Sequence, residues 1–371
     1  MRIASGRIPA IDTLRGLAAL IIIFWHYPFF FGPKPLPSTF APFYTNGQAA
    51  VDVFFVISGF ILSYVYLSRI SDVSDAWRYV VKRIARLYPL HFVTLIVVGA
   101  IFLGLWFIHG HEAYVYSNRN PYHFVLNLLL LQHVGLQQGW SFNGPSWSIS
   151  TEFWINVAFV VGLLLVKPRR QLVLSLLVVA LCTWAITHWG QTWRGGPMWG
   201  GWFEHNLART ACGFYAGVAV YMLWRSVPGL PALGELALVL GVGLFLYLIS
   251  LEPDGPHEML FGALLTLVAA PLMVFGTATS ALLNAVCSST FGKWIGDISY
   301  SIYMWHFPVA AFLVLLGARS AFASHTWLAA VYVAIVLIVA TVSYHYLEVP
   351  ARDWIVGRFT KRSTLVANAN S

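Results

Sequence analysis

Long apolar runs separated by short polar segments recur along the whole chain. A helix needs roughly 20 mostly apolar residues to cross the hydrocarbon core of a bilayer, and by this measure the sequence predicts ten transmembrane helices. The predicted spans cover residues 14–31, 50–68, 88–108, 147–166, 171–189, 206–224, 232–250, 259–277, 299–317 and 326–347. A shorter apolar run, FVLNLLLLQH at 124–133, cannot cross, and we expect it to form a re-entrant or interfacial helix.

Composition argues against a soluble fold. Of the 371 residues, 58% are apolar and only 10% are charged, so much of the apolar surface has to face lipid. A signal peptide does not account for this, since the apolar runs continue to the C-terminal end. The predicted fold class is an all-α integral membrane protein, with a single polytopic domain over residues 1–355 and a short cytoplasmic tail at 356–371.

The net charge of +8 raises the question of a nucleic-acid partner, but the placement of the cations favours a membrane topology instead. Ten crossings put both termini on one side of the membrane, and most Lys and Arg residues fall on that side. The exceptions are Lys34, Arg119, Arg194, Arg209 and Arg319. Because cytoplasmic loops carry the excess of Lys and Arg, we predict cytoplasmic termini, a multi-pass protein of the bacterial cytoplasmic membrane and no nucleic-acid partner. An eleventh crossing at 124–133 would place the basic segment 167–170 outside.

Two predicted outer loops, at 31–44 and 189–202, are rich in Pro, Gly and aromatic residues. Trp and Tyr are common at membrane interfaces, which accounts for most of them. Aromatic rings also stack on sugar rings, so a surface facing a glycan is the second interpretation.

Ionisable residues inside predicted spans are costly and therefore mark candidate sites. Arg15 and His26 lie on the first span, about three helical turns apart, so they share a helix face with His26 roughly 16 Å above Arg15. A histidine at such a position is often only a packing residue. Its alignment with a buried arginine favours a functional role here.

Three further ionisable residues are predicted at the depth of His26, in the outer half of the membrane: Asp52, Glu152 and Arg209. A carboxylate at Asp52 could hold the imidazole of His26 in one tautomer. The alternative is that Asp52 is simply an acid favoured by the helix dipole at an N-terminus.

The predicted inner surface is basic. Arg83 and Arg86 stand at i and i+3, hence on one helix face, with Lys82 beside them and Arg15 on the same side of the membrane. Arginine side chains match the geometry of phosphate groups, so these cations could hold a phosphorylated ligand. The alternative is that they are topology signals only.

At these residues the chain resembles a known family. The segment DTLRGLAALIIIFWH at 12–26 is similar to the R-x10-H signature of the membrane acyltransferase family 3, the bacterial O-acyltransferases of surface polysaccharides, Nod factors and macrolides. Four further blocks resemble the same family. They are QAAVDVFFVISGFILS, RIARLYPLH, PSWSISTEFW, and DISYSIYMWHFP followed by LEVPAR. The ordered set extends to residue 352, nearly the whole chain.

The resemblance implies an acyl-CoA donor, commonly acetyl-CoA, taken from the cytoplasm. The acyl group then passes to a hydroxyl on a glycan, a lipid-linked oligosaccharide or a glycosylated small molecule beyond the bilayer. The family motifs map onto Arg15, His26, Asp52, Arg83, Arg86, Glu152, Tyr303 and His306. Many members continue into a soluble esterase-like domain, which we do not expect here, and the glycines common before Val51-Asp52 are replaced by Gln48-Ala49-Ala50.

The chemistry of such a transfer fits these residue types. A sugar hydroxyl is a poor nucleophile and needs a base, and we predict that His26 serves as that base, with Glu152 and Asp52 completing the catalytic set. The thioester carbonyl needs a donor for its developing oxyanion. The candidates are Arg209, Ser148 and the Trp147 indole, which with Tyr303 and His306 form the predicted substrate site. We expect no metal, and direct transfer without an acyl-enzyme.

Three alternatives remain open from sequence alone. Buried His, Asp and Glu residues also form proton relays in transporters, and Pro271 could break a helix as in carriers. A catalytically silent relative is a second alternative, and another acyltransferase family with an intramembrane histidine is a third.

Overall fold

A computed structural model of the chain describes most of its residues. The described ranges are 7–32, 37–109, 116, 118–137, 139–189, 204–227, 231–251 and 256–360. Within these ranges the chain is helical and forms no β-strand, apart from an isolated bridge between Asn118 and Ser141. The predicted all-α membrane fold is therefore confirmed.

Seventeen α-helices make up the described chain. They are α1 (Pro9–Phe31), α2 (Ala41–Asn46), α3 (Ala50–Tyr66), α4 (Val73–His109), α5 (Pro121–Leu128), α6 (Trp147–Leu165), α7 (Gln171–Trp189), α8 (His205–Ser226), α9 (Pro231–Ser250), α10 (Pro256–Leu264), α11 (Ala270–Thr279), α12 (Ala281–Cys287), α13 (Thr290–Asp297), α14 (Ser299–Leu315), α15 (Arg319–Ser324), α16 (Leu328–Ser343) and α17 (Val349–Thr360). Short π-helical segments join α10 to α11 at Leu265–Ala269 and α16 to α17 at Tyr344–Glu348.

Every predicted span coincides with one of these helices or with a joined pair. Among the described residues, eight helices are long and apolar enough to cross a membrane, and the pair α13–α14, bent by 57°, makes a ninth. The predicted span at 206–224 corresponds to α8, which falls outside that set. Its N-terminal turns carry His205, Asn206, Arg209 and Thr210, all buried against other helices, so α8 has less need of an apolar surface.

Three boundaries differ from the sequence prediction. Helix α4 begins 15 residues before the predicted span, because its polar first turns continue the same helix. The run at 124–133 forms only the short helix α5, which the Asn120 side chain caps and after which Leu130 turns with a φ of 56°. Helix α17 continues through Thr360, so residue 355 is not the end of an element. Residues 361–371 of the predicted tail, and most of the predicted outer loop at 189–202, lie outside the described residues.

Helices α3 and α8 are in backbone contact. A Cβ on Gly59 would lie 1.8 Å from the carbonyl oxygen of Phe214, and one on Gly217 would lie 2.0 Å from that of Val56. Only glycine fits at such positions, as at small-residue interfaces between membrane helices. This contact places the first turns of α3 and α8 side by side.

Helix α1 runs through the middle of the molecule and contacts α3, α13 and α14. A Cβ on Gly16 would lie 2.7 Å from the carbonyl oxygen of Ile295, and one on Gly296 would lie 2.8 Å from Asp12. The tight packing of α1 on α13 fixes the position of Arg15 relative to the start of α14.

Candidate active site

A cavity of about 760 Å³, including its open side, lies between α1, α3, α4, α6 and α14. Its polar lining residues are Arg15, Ser58, Arg83, Arg86, Ser148, Glu152, Ser299, Tyr300 and Tyr303. Residues from sequence blocks almost 300 positions apart therefore meet in one cavity. Three of the four predicted cations line it, but only two of the five predicted substrate-site residues do, Ser148 and Tyr303.

Two hydrogen bonds and an ion pair hold the Arg15 side chain. Its Nε donates to Ser299 Oγ at 2.8 Å, and its terminal nitrogen donates to the carbonyl oxygen of Gly296 at 3.0 Å. Asp12, one turn earlier on α1, forms an ion pair with it at 3.2 Å. The guanidinium is thus fixed at the cavity wall.

Arg86 is paired with Glu348, which lies 262 residues away in the sequence. The two side chains are 3.1 Å apart, and the Glu348 side chain is only 3% exposed. The other carboxylate oxygen accepts from Ser301. The Arg86 guanidinium also lies over the Tyr300 ring, 5.4 Å from its centroid. The charge of Arg86 is therefore compensated within the protein.

Arg83 differs from both neighbouring arginines. Its Nε is buried without a hydrogen-bond partner, and it forms no ion pair with any described residue. The guanidinium lies 5.9 Å from the centroid of the Tyr79 ring. Because no carboxylate of the described residues compensates its charge, the partly exposed Arg83 is the lining residue best placed to attract an anion. Lys82, predicted to act with it, is exposed and does not line the cavity.

The opposite wall carries hydroxyl groups and a carboxylate. Ser58 donates to Glu152 Oε1 at 2.7 Å. The Tyr303 hydroxyl donates to the carbonyl oxygen of Pro145 at 2.9 Å and lies 2.8 Å from Ser148 Oγ. Glu152 has no recorded contact with His26, so the structure brings it to the cavity and not to the imidazole.

His26 lies beside His306 rather than in the cavity itself. The two rings are 4.7 Å apart, and His26 Nδ1 is 3.1 Å from His306 Nε2. The same Nδ1 is also 3.1 Å from the carbonyl oxygen of Ile22. A carbonyl oxygen only accepts, so His26 Nδ1 carries the proton and His306 Nε2 accepts. This assignment leaves the lone pair of His26 on Nε2, for which the described residues provide no hydrogen-bond partner.

Tyr303 connects the histidine pair to the cavity. Its ring centroid is 5.9 Å from that of His306, and its hydroxyl faces the cavity-lining Ser148. His306 is fully buried, and its backbone carbonyl accepts from the Tyr332 hydroxyl. His306 is therefore packed directly behind Tyr303, which lines the cavity.

The expectation that Asp52 holds the imidazole of His26 is wrong. Both oxygens of Asp52 are taken by Arg209, at 2.9 and 2.5 Å, and Thr266 also donates to it at 3.1 Å. The guanidinium of Arg209 lies over the Trp147 ring, 5.7 Å from its centroid. Asp52, Arg209 and Trp147 thus form a buried cluster at the α3–α8 contact, and the partners that orient His26 are Ile22 and His306.

Sequence reasoning did not single out Ser299 and Tyr300, which line the cavity, or Glu348 and His133, which lie outside its lining. Glu348 lies in the block LEVPAR, where an ionisable residue follows an apolar run, and that position was the available signal. His133 lies 3.7 Å from Glu204 and packs its ring against Trp140 and Trp147. Neither His133 nor Glu204 lies in a sequence block that resembles a family motif.

The fold and the cavity describe a polytopic membrane protein with an arginine-lined cavity next to a pair of histidines. A family model described as an acyltransferase domain matches residues 8–345. The chain therefore belongs to this acyltransferase family and is an acyltransferase. No solved structure matches it significantly.

Three relatives show the range of the family. BcsY of Komagataeibacter xylinus, named as a membrane-bound transacylase, is 28% identical over 93% of this chain and 83% of its own length. The peptidoglycan O-acetyltransferase OatA of Listeria monocytogenes is 22% identical over 95% of this chain and 57% of its own. The acyltransferase MdmB of Streptomyces mycarofaciens is 32% identical over 45% of this chain and 42% of its own. The chain thus matches about half the length of the last two relatives.

Proposed function

We propose that this protein moves an acyl group, acetyl in the simplest case, from cytoplasmic acyl-CoA to a hydroxyl of a glycan on the other side of the bacterial cytoplasmic membrane. One observation carries the proposal. Tyr303, which lines the arginine-lined cavity, contacts His306, and His306 contacts His26, whose Nε2 has no hydrogen-bond partner among the described residues. A phosphate-rich donor and a hydroxyl acceptor are the pair of substrates that this arrangement suits.

The donor site of the proposal is the cavity. Coenzyme A carries phosphates, and Arg83 offers a guanidinium that no carboxylate of the described residues compensates. Arg15 adds a second guanidinium, held by Ser299 and Gly296. Arginine binds phosphate strongly because its guanidinium can donate two charge-assisted hydrogen bonds to one phosphate group. Arg86 contributes charge to the same wall while remaining tied to Glu348.

The reaction we propose is a direct acyl transfer. His26 Nε2 takes the proton of the acceptor hydroxyl while the oxygen attacks the thioester carbonyl. The tetrahedral intermediate then collapses, the carbon–sulfur bond breaks, and the CoA thiolate receives the proton from the His26 imidazolium. His306 accepts from Nδ1 throughout and holds the ring in the productive tautomer.

We propose a glycan acceptor because OatA, one of the three relatives described above, is named as a peptidoglycan O-acetyltransferase. Aromatic side chains of the kind that stack on sugar rings surround the histidine pair. Trp25 lies edge-on to His26 at 4.3 Å, and Phe307 does so at 6.3 Å.

Acetyl transfer from labelled acetyl-CoA to a panel of glycans, with the purified full chain in nanodiscs, tests this proposal. The wild type and the control His325→Gln, which changes an exposed histidine, should both transfer label. His26→Gln should bind acetyl-CoA normally yet lose transfer by about 10²- to 10⁴-fold, the usual contribution of a positioned base. Near-normal turnover of His26→Gln would refute the base. Label trapped on Ser58, which donates to Glu152, would refute direct transfer.

A further inference from the structure

A second cavity lies along the far end of α4, where it faces α5. It encloses about 1210 Å³ including its open side, and its walls include Gly99, Phe102, Leu103, Phe124 and Phe142. These residues make a long apolar groove. We call it the α4–α5 groove.

The α4–α5 groove and the arginine cavity lie toward opposite ends of one helix. Gly99 is 16 residues beyond Arg83, roughly 24 Å along the α4 axis, and Trp106 is about 35 Å from Arg83. That separation is close to the thickness of the hydrocarbon core. The groove therefore lies in the half of the membrane from which the proposed acceptor approaches.

A single cation stands at the end of the groove. Arg119 lines it and lies over the Trp106 ring, 5.3 Å from its centroid. Among the described residues it has no carboxylate partner. An apolar groove ending at an unpaired arginine is complementary to a lipid with an apolar chain and an anionic phosphate.

Aromatic rings lead from Arg119 to the histidine pair. Tyr116 is three residues earlier, at most about 10 Å away. Its ring stacks on that of Phe307 at 6.0 Å and lies 6.5 Å from that of Trp140. Phe307 in turn lies edge-on to His26 at 6.3 Å. A sugar attached to a phosphate at Arg119 would meet these rings before it reached His26.

We infer that the α4–α5 groove binds the acceptor in lipid-linked form, as a glycan carried on a polyprenyl phosphate. The prenyl chain lies in the groove, the phosphate pairs with Arg119, and the glycan extends over Tyr116 toward His26. A bulk phospholipid fits the groove less well, since it carries two acyl chains and no sugar to stack on the rings between Arg119 and His26. The inference rests on the proposed function and adds the form in which the acceptor arrives.

Binding of geranylgeranyl phosphate to the full chain in detergent, followed by native mass spectrometry, tests the inference. The comparison ligands are geranylgeraniol, which lacks the phosphate, and phosphatidylglycerol. Arg119→Gln removes the cation. Gly99→Leu fills the groove, and the nearest atom to its Cβ is 3.9 Å away on Phe142, so the helix can accept the side chain. Gly243→Leu is the matched control, because it makes the same change at an open position on α9.

Geranylgeranyl phosphate should bind at least about tenfold more tightly than geranylgeraniol, as expected of a charged hydrogen bond, and more tightly than phosphatidylglycerol, which has two acyl chains in place of one prenyl chain. Arg119→Gln and Gly99→Leu should each remove that preference, and Gly243→Leu should retain it. Equal binding of phosphatidylglycerol, or a preference that survives both groove variants, would overturn the inference. Acetyl-CoA binding by the wild type, measured in parallel, reports on the proposed function alone.

Discussion

The carbonyl oxygen of Ile22 assigns the proton on His26 Nδ1, because it can only accept and lies 3.1 Å from that nitrogen. With the proton there, His306 Nε2, also 3.1 Å from Nδ1, is an acceptor. A histidine held in this way presents its second nitrogen as an unprotonated lone pair, which is the form that a general base requires. In the proposed mechanism His306 is therefore a positioning residue, because it acts through His26.

Replacing His306 tests that role. His306→Phe removes the acceptor and should lower kcat by about tenfold or more, since an unanchored imidazole samples unproductive orientations. His306→Gln keeps an amide oxygen that can accept and should recover part of the loss. The measurement is kcat and KM for the acceptor with each variant. Equal kcat in the two variants, or an effect on KM alone, would argue against positioning.

The neighbouring arginines should respond differently to the same change. Arg83→Gln removes an uncompensated charge and should weaken acetyl-CoA binding by about 1.5–3 kcal/mol, the scale of a charged hydrogen bond, without loss of thermal stability. Arg86→Gln leaves Glu348 unpaired and should lower stability by about 1–3 kcal/mol. Calorimetric binding and thermal unfolding separate the two effects. Lys82→Gln, at an exposed position, is the control for both, and identical behaviour of Arg83→Gln and Arg86→Gln would contradict the assignment.

At the residue scale, the sequence predicted the types of site residue better than their partners. The spacing of Arg15 and His26 placed both on one face of α1, and the structure has Arg15 in the cavity and His26 beyond it. The contacts Arg86–Glu348 and His26–His306 join residues more than 250 positions apart. Helical periodicity contains no information about such pairs.

At the scale of elements, the contact between α3 and α8 fixes the position of α3, which lines the cavity. Backbone contact at Gly59 and Gly217 brings the two helices together, and the Asp52–Arg209 ion pair joins their first turns. The Arg209 and Asp52 side chains are 3% and 0% exposed. We interpret this pair as a structural contact that fixes α3, the helix that also carries Ser58.

Breaking the pair tests this interpretation. Arg209→Ala leaves a buried carboxylate without its partner and should destabilise the fold by about 3–5 kcal/mol. The double variant Asp52→Leu with Arg209→Met should recover much of that stability, because it removes both charges. Thermal unfolding in detergent measures both. If Arg209→Ala kept its stability but lost acyl transfer, the result would instead support a catalytic role for Asp52 and Arg209.

Apolar runs predicted the elements well and their ends poorly. The start of α4 was misplaced because a helix can extend out of the bilayer on polar residues, which the apolar run does not reveal. Helix α5 proved shorter than its apolar run because Leu130 breaks the helix with a positive φ.

At the scale of the whole molecule, the orientation of the C-terminal half depends on α8. Eight helices of the described chain, or nine with the bent pair, pass as apolar spans, and α8 does not. Yet its 22 residues are long enough to cross, and its polar first turns are buried against α3 and α6 rather than exposed to lipid. Burial of polar residues inside a bundle removes the cost that would keep α8 out of the membrane.

We therefore predict that α8 crosses and that both termini are cytoplasmic. In a variant without its native cysteines, Ser74→Cys and Ser226→Cys should react with a membrane-impermeant maleimide only from the cytoplasmic side, and Ser324→Cys only from outside. All three serines are exposed, so failure to react from either side would not arise from burial. If α8 did not cross, every later loop would invert. Ser226→Cys would then react from outside and Ser324→Cys from inside, while Ser74→Cys would remain cytoplasmic.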